Sequence, residues 1–239
     1  MNEAEPVIRS KVSIVIPVLH EREIIIERLE QLKTLKNPPF YEVIVVDGSS
    51  TQDTLETIQE DDIIRLSSKP GRGHQMNQGA AAATGDILLF LHADTSLPTN
   101  ALQCIEAALR DELLVGGAFN HSIDSSRFIY KVLSFLIFFR SRLTRVPFGD
   151  QVIFLRKSYF DVIHGYKETP LMEDVELMRR IRRTGGKIVL LRERVVTSPR
   201  RWEREGVVLC TFRNWTIRML YLLGVSPDRL VRFYIRDER

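Results

Sequence analysis

The chain has 239 residues, of which 44% are hydrophobic and 27% are charged. This composition is typical of a globular protein, and it excludes a disordered chain, a collagen-like repeat and a small disulfide-stapled protein. The formal net charge is only +3, but residues 1–126 contain 10 basic and 19 acidic side chains, net −9, whereas residues 127–239 contain 24 and 12, net +12. The two halves therefore carry opposite charge.

The cysteines and the apolar segments predict a cytoplasmic protein. Cys104 and Cys210 are the only cysteines, and we expect both to be reduced, buried thiols. Residues 1–11 have no apolar stretch behind a basic start, so no secretory signal is expected. The longest apolar segment, residues 128–139, is interrupted by Lys131 and is shorter than the roughly 20 residues of a spanning helix. A single-pass membrane anchor is therefore not expected.

The first half alternates between short apolar runs and helical patterns, which predicts an α/β sheet with crossover helices. Strands are predicted at residues 12–16, 42–46, 63–66 and 87–91, and helices at residues 21–36, 51–59, 73–83 and 98–110. Pro98 at a first helical position and Asp53 in a first turn are typical of helix starts.

The second half is less regular beyond Val115. It predicts a helix at residues 127–142, a strand at 152–155, a helix at 172–184, a strand at 187–191 and a final pair of amphipathic helices. The first of these helices carries an aromatic stripe, formed by Phe128, Tyr130, Phe135, Phe138 and Phe139. We favour core packing of this stripe over membrane contact.

Three acids, Glu21, Asp47 and Asp94, follow three of the predicted strands. Ligands of open parallel sheets bind beyond the carboxyl ends of the strands. Each acid alone could instead be a turn residue or a helix cap. The three together predict a ligand-binding edge.

Asp94 and His92 are candidate metal ligands, because alternate residues of a strand point to the same side. A carboxylate suits Mg²⁺ or Mn²⁺ bridging to substrate phosphates, and a His and Asp pair suits Mn²⁺ better than Mg²⁺. The alternative is a packed histidine beside a helix-capping aspartate.

The loop at residues 69–79, KPGRGHQMNQG, supplies Lys69, Arg72 and a helix start. Backbone N–H groups and a guanidinium both suit phosphate oxygens. The loop matches neither the dinucleotide-binding fingerprint nor the P-loop.

Further on, Glu173 and Asp174 open a helix that ends in arginines. These charges complement the helix dipole, which is a sufficient structural reason for them, but one carboxylate could also serve as a general base.

Arg200, Arg201 and Trp202 follow the last predicted strand. They could bind an anion and stack on a ligand, or the arginine could simply cover a core tryptophan.

Taken together, these segments resemble the family 2 glycosyltransferases of the GT-A fold. The matching pieces are SIVIPVLHE at residues 13–21, VIVVDGSSTQDT at 43–54, the long segment at 69–95 that ends in LHADT, and LMEDVELMRRIRRTGGKI at 171–188. LHADT, GDQVIFLRK at 149–157 and SPRRWEREG at 198–206 are similar to a bacterial subgroup associated with arsenosugar biosynthesis.

The resemblance implies one GT-A domain over residues 1–239, with a Rossmann-like mixed sheet flanked by helices and a helical C-terminal extension. Residues 1–115 would bind the nucleotide-sugar, and residues 116–239 would form the acceptor-binding half and the C-terminal helices.

The resemblance also implies roles for individual residues. They are Pro17, Glu21 and Asp47 around the base and ribose, Arg72 near the donor, Asp94 on Mg²⁺ or Mn²⁺, Asp174 as catalytic base, and Arg200 and Arg201 closing over the diphosphate. Glu173 and Trp202 are expected to contact substrate.

The implied reaction is metal-assisted, inverting transfer of a single sugar from a nucleoside-diphosphate-sugar, with a UDP-sugar as the first expectation, to a small-molecule or lipid hydroxyl. His92 stands where the family usually has an acidic residue, and Ser198 where processive members have Gln. We expect no nucleic-acid partner, and peripheral contact with the inner face of a membrane remains open. The alternatives are a nucleotidyltransferase and an inactive module that binds nucleotide-sugars or anionic lipids.

Overall fold

Four parallel strands of the first half form one side of a mixed, eight-stranded sheet. The computed structural model describes residues 10–234. In chain order the strands are β1 (Val12–Val18), β2 (Tyr41–Asp47), β3 (Ile63–Ser67), β4 (Ile87–Phe90), β5 (Thr95–Ser96), β6 (Leu114–Ile123), β7 (Ile153–Arg156) and β8 (Lys187–Thr197). Their spatial order is β3-β2-β1-β4-β7-β6-β8-β5. The sheet is therefore parallel from β3 to β4 and mixed beyond β7, which is antiparallel to both β4 and β6.

Helices cover both faces of the sheet. They are α1 (Arg22–Lys33), α2 (Arg72–Ala82), α3 (Ala101–Ala108), α4 (Phe128–Thr144), α5 (Lys157–Val162), α6 (Glu173–Arg183), α7 (Arg200–Glu205), α8 (Val207–Leu222) and α9 (Pro227–Leu230). Consecutive residues of β1 enter opposite cores: Ile14 packs with α1 and α3, and Val15 packs with α2 and α6. Because both faces are buried, the central strands are almost wholly apolar.

Two predicted helices differ from the structure. Residues 51–59 form only a short 3₁₀ turn, Leu55–Thr57. Ser49 Oγ accepts the Gln52 N–H at 3.0 Å and donates to Asp53 at 3.1 Å, so side-chain bonds to the backbone favour a turn here. The helix predicted at 98–110 is shorter, and Pro98 precedes it, with its carbonyl accepting the Ala101 N–H.

The aromatic stripe of α4 is mostly exposed, so core packing was the wrong interpretation for it. Tyr130 is fully buried, but Phe128 is 80% exposed, Phe135 62% and Phe139 57%. Helix α4 packs on β6 through a narrow stripe that includes Tyr130 and Leu133. The aromatic side chains on its other face therefore have no core to enter.

Four further differences concern the second half. Strand β6 and helix α5 were not predicted, and β8 is longer than predicted. Three helices, α7, α8 and α9, take the place of the expected final pair. Cys104 and Cys210 are free thiols. Cys210 is buried as expected, but the expected burial of Cys104 was wrong, because Cys104 lies beside the buried face of α3 and is partly exposed. Within residues 10–234, no helix is both long enough and apolar enough to cross a membrane.

Candidate active site

Asp47 ends β2 at the carboxyl edge of the sheet, as the sequence predicts. It pairs in register with Val18 and is completely buried. Its Oδ1 accepts the Ser49 N–H at 2.8 Å, whereas its buried Oδ2 has no hydrogen-bond partner in the described chain. Burial raises the pKa of Asp47. A buried acceptor without a partner is costly, so Oδ2 is suited to a donor group from a ligand.

Pro17 and Glu21 lie at the same edge. Pro17 is buried in β1 opposite Val46. Glu21 immediately precedes α1, and its N–H donates to Thr54 Oγ1 at 3.0 Å. The Glu21 carboxylate lies 3.7 Å from the Arg200 guanidinium. This ion pair joins the first half of the chain to the segment after β8.

Arg72 is the first residue of α2 and is exposed, whereas Gly73 and Gln75 behind it are buried. Gln75, one turn along, donates from Nε2 to the carbonyls of Val18 and Val46 at 2.7 and 2.8 Å. These bonds fix α2 beneath the ends of β1 and β2. Desolvation lowers the pKa of Arg72, but Tyr234 and nearby acids, Glu173 first among them, raise it by more. Arg72 is therefore a permanent cation facing a group of acids.

Asp174 is held by two backbone N–H groups at the start of α6. Its Oδ2 accepts the Gly149 N–H at 2.8 Å, and its Oδ1 accepts the Val175 N–H at 2.7 Å. Burial raises the pKa of Asp174, and these two bonds oppose the rise. The carboxylate is thus fixed in orientation and poised to accept a proton.

Glu173, the neighbouring acid, is more deeply buried than Asp174. Burial, and then the charge of Asp174, raise its pKa to about 7. Met172 precedes it with a left-handed φ of 66°, a strained conformation for a residue with a side chain. The two acids therefore differ: Asp174 is held by hydrogen bonds, and Glu173 holds its proton more tightly than an ordinary glutamate.

His92 and Asp94 follow β4 and are both partly buried. Burial, and then Arg72, lower the pKa of His92 to about 4, so its imidazole is neutral at pH 7, the form that binds metals. Thr95 Oγ1 donates to Asp94 Oδ1 at 3.2 Å. Across residues 10–234, no three His, Cys, Asp or Glu side chains are grouped to hold an ion. An ion bound by this pair would have to take its other ligands from water and a diphosphate, and metal binding here stays a prediction.

Two site residues were not predicted, Asp150 and His121. His121 Nε2 lies 3.7 Å from Asp150 Oδ2. Asp150 Oδ1 and both ring nitrogens of His121 are buried without hydrogen-bond partners in the described chain. Burial lowers the pKa of His121, and Asp150 opposes this. Asp150 lies in the segment GDQVIFLRK, which carries part of the family resemblance, whereas His121 lies in β6, a strand that was not predicted.

Arg140 and Arg218 were missed as well, because they lie on helices rather than after strands. Their guanidinium carbons lie 3.5 and 4.8 Å from the ring centre of Phe148. Burial lowers the pKa of Arg140 to about 10, although Asp150 raises it. Burial also lowers the pKa of Arg218, against the charge of Asp174. These cations belong to the acidic site around Asp174.

Arg201 and Trp202 make contacts within the protein. Arg201 donates to the Tyr234 hydroxyl and lies 3.5 Å from the Glu205 carboxylate. The Trp202 ring packs edge-on against Tyr130, with centroids 6.5 Å apart. Trp202 thus has a core contact, and substrate contact for both residues stays a prediction.

Comparisons with known proteins identify the family. The sequence profile of Glycosyl transferase family 2 matches residues 13–167. A dolichol-phosphate mannosyltransferase of Pyrococcus furiosus is 28% identical over 107 residues, which are 42% of this chain and 30% of that protein. A glucosyl-3-phosphoglycerate synthase of Mycolicibacterium smegmatis is 32% identical over 92 residues, 35% of this chain and 30% of that protein. The chain thus matches less than a third of the length of either relative.

Solved structures share the fold. The mannosyltransferase PcManGT of Pyrobaculum calidifontis, in complex with GDP-Man and Mn²⁺, superposes with a TM-score of 0.65 at 19% identity, covering 90% of this chain and 62% of that one. S. aureus TarS superposes with a TM-score of 0.62 at 18% identity, covering 79% of this chain and 36% of that one. The expected α/β architecture of the GT-A type is confirmed.

Proposed function

The chain belongs to glycosyl transferase family 2, and on that basis we propose that it transfers a single sugar from a nucleoside-diphosphate-sugar to an acceptor hydroxyl, with inversion. The observation that carries the proposal is the carboxylate of Asp174, fixed by the Gly149 and Val175 N–H groups and placed within electrostatic reach of Arg72. A fixed base opposite a cation suits proton removal on one side of a reacting carbon and departure of an anion on the other.

The donor binds at the carboxyl edge of β1, β2 and β4 in this proposal. Pro17, Glu21 and Asp47 surround the base and ribose, and the unpartnered Asp47 Oδ2 accepts a hydrogen bond from them. A UDP-sugar is our first expectation. Because PcManGT is described with GDP-Man, guanosine donors belong in the same test.

The chemical step is a single displacement. Asp174 takes the proton of the acceptor hydroxyl, the hydroxyl oxygen attacks the anomeric carbon, and the bond from that carbon to the diphosphate oxygen breaks with both its electrons. Arg72 stabilises the charge that develops on the departing nucleoside diphosphate. Asp94 and His92 would hold Mg²⁺ or Mn²⁺, which when bound would neutralise diphosphate charge.

The acceptor, a small molecule or a lipid, binds on the side formed by residues 116–239. Arg200, Arg201 and Trp202 follow β8, and the ion pair of Arg200 with Glu21 brings this segment to the donor edge. Glu173 contacts substrate from beside the base. We place the enzyme in the cytoplasm, with any membrane contact peripheral at the inner face.

A product assay tests the proposal. The chain is incubated with UDP- and GDP-sugars, Mg²⁺ or Mn²⁺, and a mixture of small and lipid-linked hydroxyl acceptors. Free nucleoside diphosphate together with a glycosylated acceptor is the expected result. Release of inorganic pyrophosphate from a nucleoside triphosphate would overturn the proposal in favour of nucleotidyl transfer. Binding without turnover, in a screen that includes both donor bases, would identify a binding module.

A further inference from the structure

Helix α4 presents a broad apolar face to solvent. Its buried residues Tyr130, Leu133 and Ser141 lie along one stripe. The opposite side carries exposed large hydrophobic side chains, which are Phe128, Ile129, Val132, Phe135, Leu136, Phe139 and Leu143. A surface helix of a globular protein normally has polar residues there. The outward face of α4 is therefore built for contact with something apolar.

Helix α8 has the same arrangement. Cys210 and Ile217 are its buried residues. Exposed hydrophobic side chains occupy the opposite face and the residue that ends the helix, and they are Val208, Leu209, Phe212, Trp215, Met219, Leu222 and Leu223. Exposed apolar area on this scale marks a contact surface rather than ordinary surface.

The two helices contact the same two parts of the protein. Val207, at the start of α8, packs on the small core that Tyr130 and Leu133 of α4 help to form. Further along, Arg140 of α4 and Arg218 of α8 contact the same ring, Phe148. Both helices thus contact the rest of the protein at two places, and both expose their outward apolar residues to solvent.

The charge of these helices is uniformly basic. Neither α4 nor α8 contains an aspartate or glutamate. Lys131 and Arg142 are exposed on α4, and Arg127 is exposed immediately before it; by helical spacing the three lie along one edge of the apolar face. Apolar and aromatic residues bordered by cations suit the interface of an anionic bilayer, where rings enter the headgroup boundary and cations meet lipid phosphates.

A second copy of the chain is a poorer occupant. A two-fold dimer through this face would bring the same basic residues of both copies into one interface. Juxtaposed like charges weaken such an association, whereas anionic lipid would neutralise them.

We propose that the outward faces of α4 and α8 dock the protein on the surface of an anionic membrane. The proposal rests on these two helices and is independent of the proposed glycosyl transfer.

Vesicle co-sedimentation tests the proposal with the full chain. Vesicles made of equal parts phosphatidylglycerol and phosphatidylcholine are expected to bind the protein, more weakly at high salt, and phosphatidylcholine alone to bind it less. Phe135→Ser with Phe139→Ser should reduce the affinity about tenfold or more. Replacing Lys131 and Arg142 with alanine should reduce the affinity for the anionic vesicles about fivefold for each residue. Phe40→Ser, at a phenylalanine that is 77% exposed at the amino end of the sheet, is the matched control and should bind like the wild type.

Tryptophan fluorescence gives a second readout that needs no destabilising variant. The chain has two tryptophans; Trp202 packs against Tyr130, and Trp215 is exposed on α8. Anionic vesicles should shift the emission to shorter wavelength, and Trp215→Phe should remove the shift.

Three results would overturn the proposal: no binding of the full chain to anionic vesicles at low salt, equal binding by the double phenylalanine variant, or a solution dimer that this variant converts to monomer. Should that variant unfold, Phe212→Ser on α8 takes its place. Nucleotide affinity, measured by calorimetry, should be the same in all variants, so failure of docking is distinguishable from failure of the proposed transfer.

Discussion

The two sides of the site are held in position by different means. On the proposed donor side, Asp47 is the last residue of β2 and Asp94 lies four residues beyond β4, and these two parallel strands flank β1 in the sheet, which limits where both acids can lie. On the proposed acceptor side, Asp174 is the second residue of α6, and its carboxylate is held by a hydrogen bond from Gly149, 25 residues away in the chain. A strand ladder fixes a position through many bonds, whereas this carboxylate depends on two. We therefore expect the acceptor side to be the more sensitive to single substitutions.

The largest effect is expected at Asp174. Asp174→Asn should lower kcat by about 10²–10⁴-fold, because an amide cannot take the acceptor proton. The affinity for nucleoside diphosphate should change little, since the donor side is intact. Steady-state kinetics and calorimetry measure the two quantities.

Glu176→Gln is the matched control, because this acid lies on the same helix but pairs with Arg180 at 2.7 Å. It should keep near wild-type kcat. Unchanged kcat in Asp174→Asn would contradict the assignment of Asp174 as the base. It would also contradict the expected difference in sensitivity between the two sides.

The second-largest effect is expected on the proposed donor side. Asp94→Ala should lower kcat/KM by about a hundredfold, because the carboxylate that would share an ion with the diphosphate is lost. Removal of divalent ions with a chelator should lower kcat/KM of the wild type to a similar degree, and it should have little further effect on kcat/KM of the variant.

Asp86→Asn provides the control, since Asp86 lies just before β4, at the opposite end from Asp94, and accepts the Lys11 N–H at 3.0 Å. Mn²⁺ binding by the wild type should be weak alone and strengthened by nucleoside diphosphate. Tight binding of Mn²⁺ without nucleotide would contradict the shared-ion interpretation of His92 and Asp94.

A smaller effect is expected where the sides meet. Arg200→Ala should raise the KM for the donor about five- to tenfold, the loss of one charge-assisted contact. The difference should shrink as salt increases, because the Arg200 side chain is exposed. Arg183→Ala, an exposed arginine at the end of α6, should leave KM unchanged. Equal KM values for the wild type and Arg200→Ala would show that Arg200 pairs with Glu21 and does not contact the donor.

The smallest effect concerns stability. The pKa of Glu173 is raised to about 7 from an ordinary value of 4.5. The folded state therefore binds this proton more tightly than the unfolded chain, and the associated stability is lost as the pH rises from below 4.5 through about 7.

Glu173→Gln should consequently have a higher Tm than the wild type above pH 7, and the two should converge at low pH. Thermal unfolding across this range measures the difference. Glu203→Gln, on α7, should follow the wild-type curve. A Tm difference that grows toward low pH would show the opposite sign of linkage.

The strands of the donor side could be predicted because their composition is unambiguous. Most residues of β1, β2 and β4 are buried, so these strands are almost wholly apolar, and the acids at and after their ends stand out. The helix predicted at residues 51–59 was wrong because its helical pattern carried no information about the side-chain bonds of Ser49, which favour a turn.

The acceptor side could be predicted only in part. Strand β6, LVGGAFNHSI, mixes glycines and polar residues, and its partners β7 and β8 are distant in sequence. His121 and Asp150 meet only after that pairing forms. Asp174 was predicted through the family resemblance, but the Gly149 bond that orients it had no local signal.

Phe148 immediately precedes Gly149, and its ring is contacted by one arginine from each helix that presents an apolar face outward. A shift of α4 or α8 that moves Arg140 or Arg218 would therefore disturb a ring next to the N–H group that holds Asp174. Coupling between two binding events is reciprocal. If a partner on the outer faces of α4 and α8 changes the affinity for nucleotide by some factor, nucleotide changes the affinity for that partner by the same factor. The Phe148 ring is where the two binding equilibria would be linked.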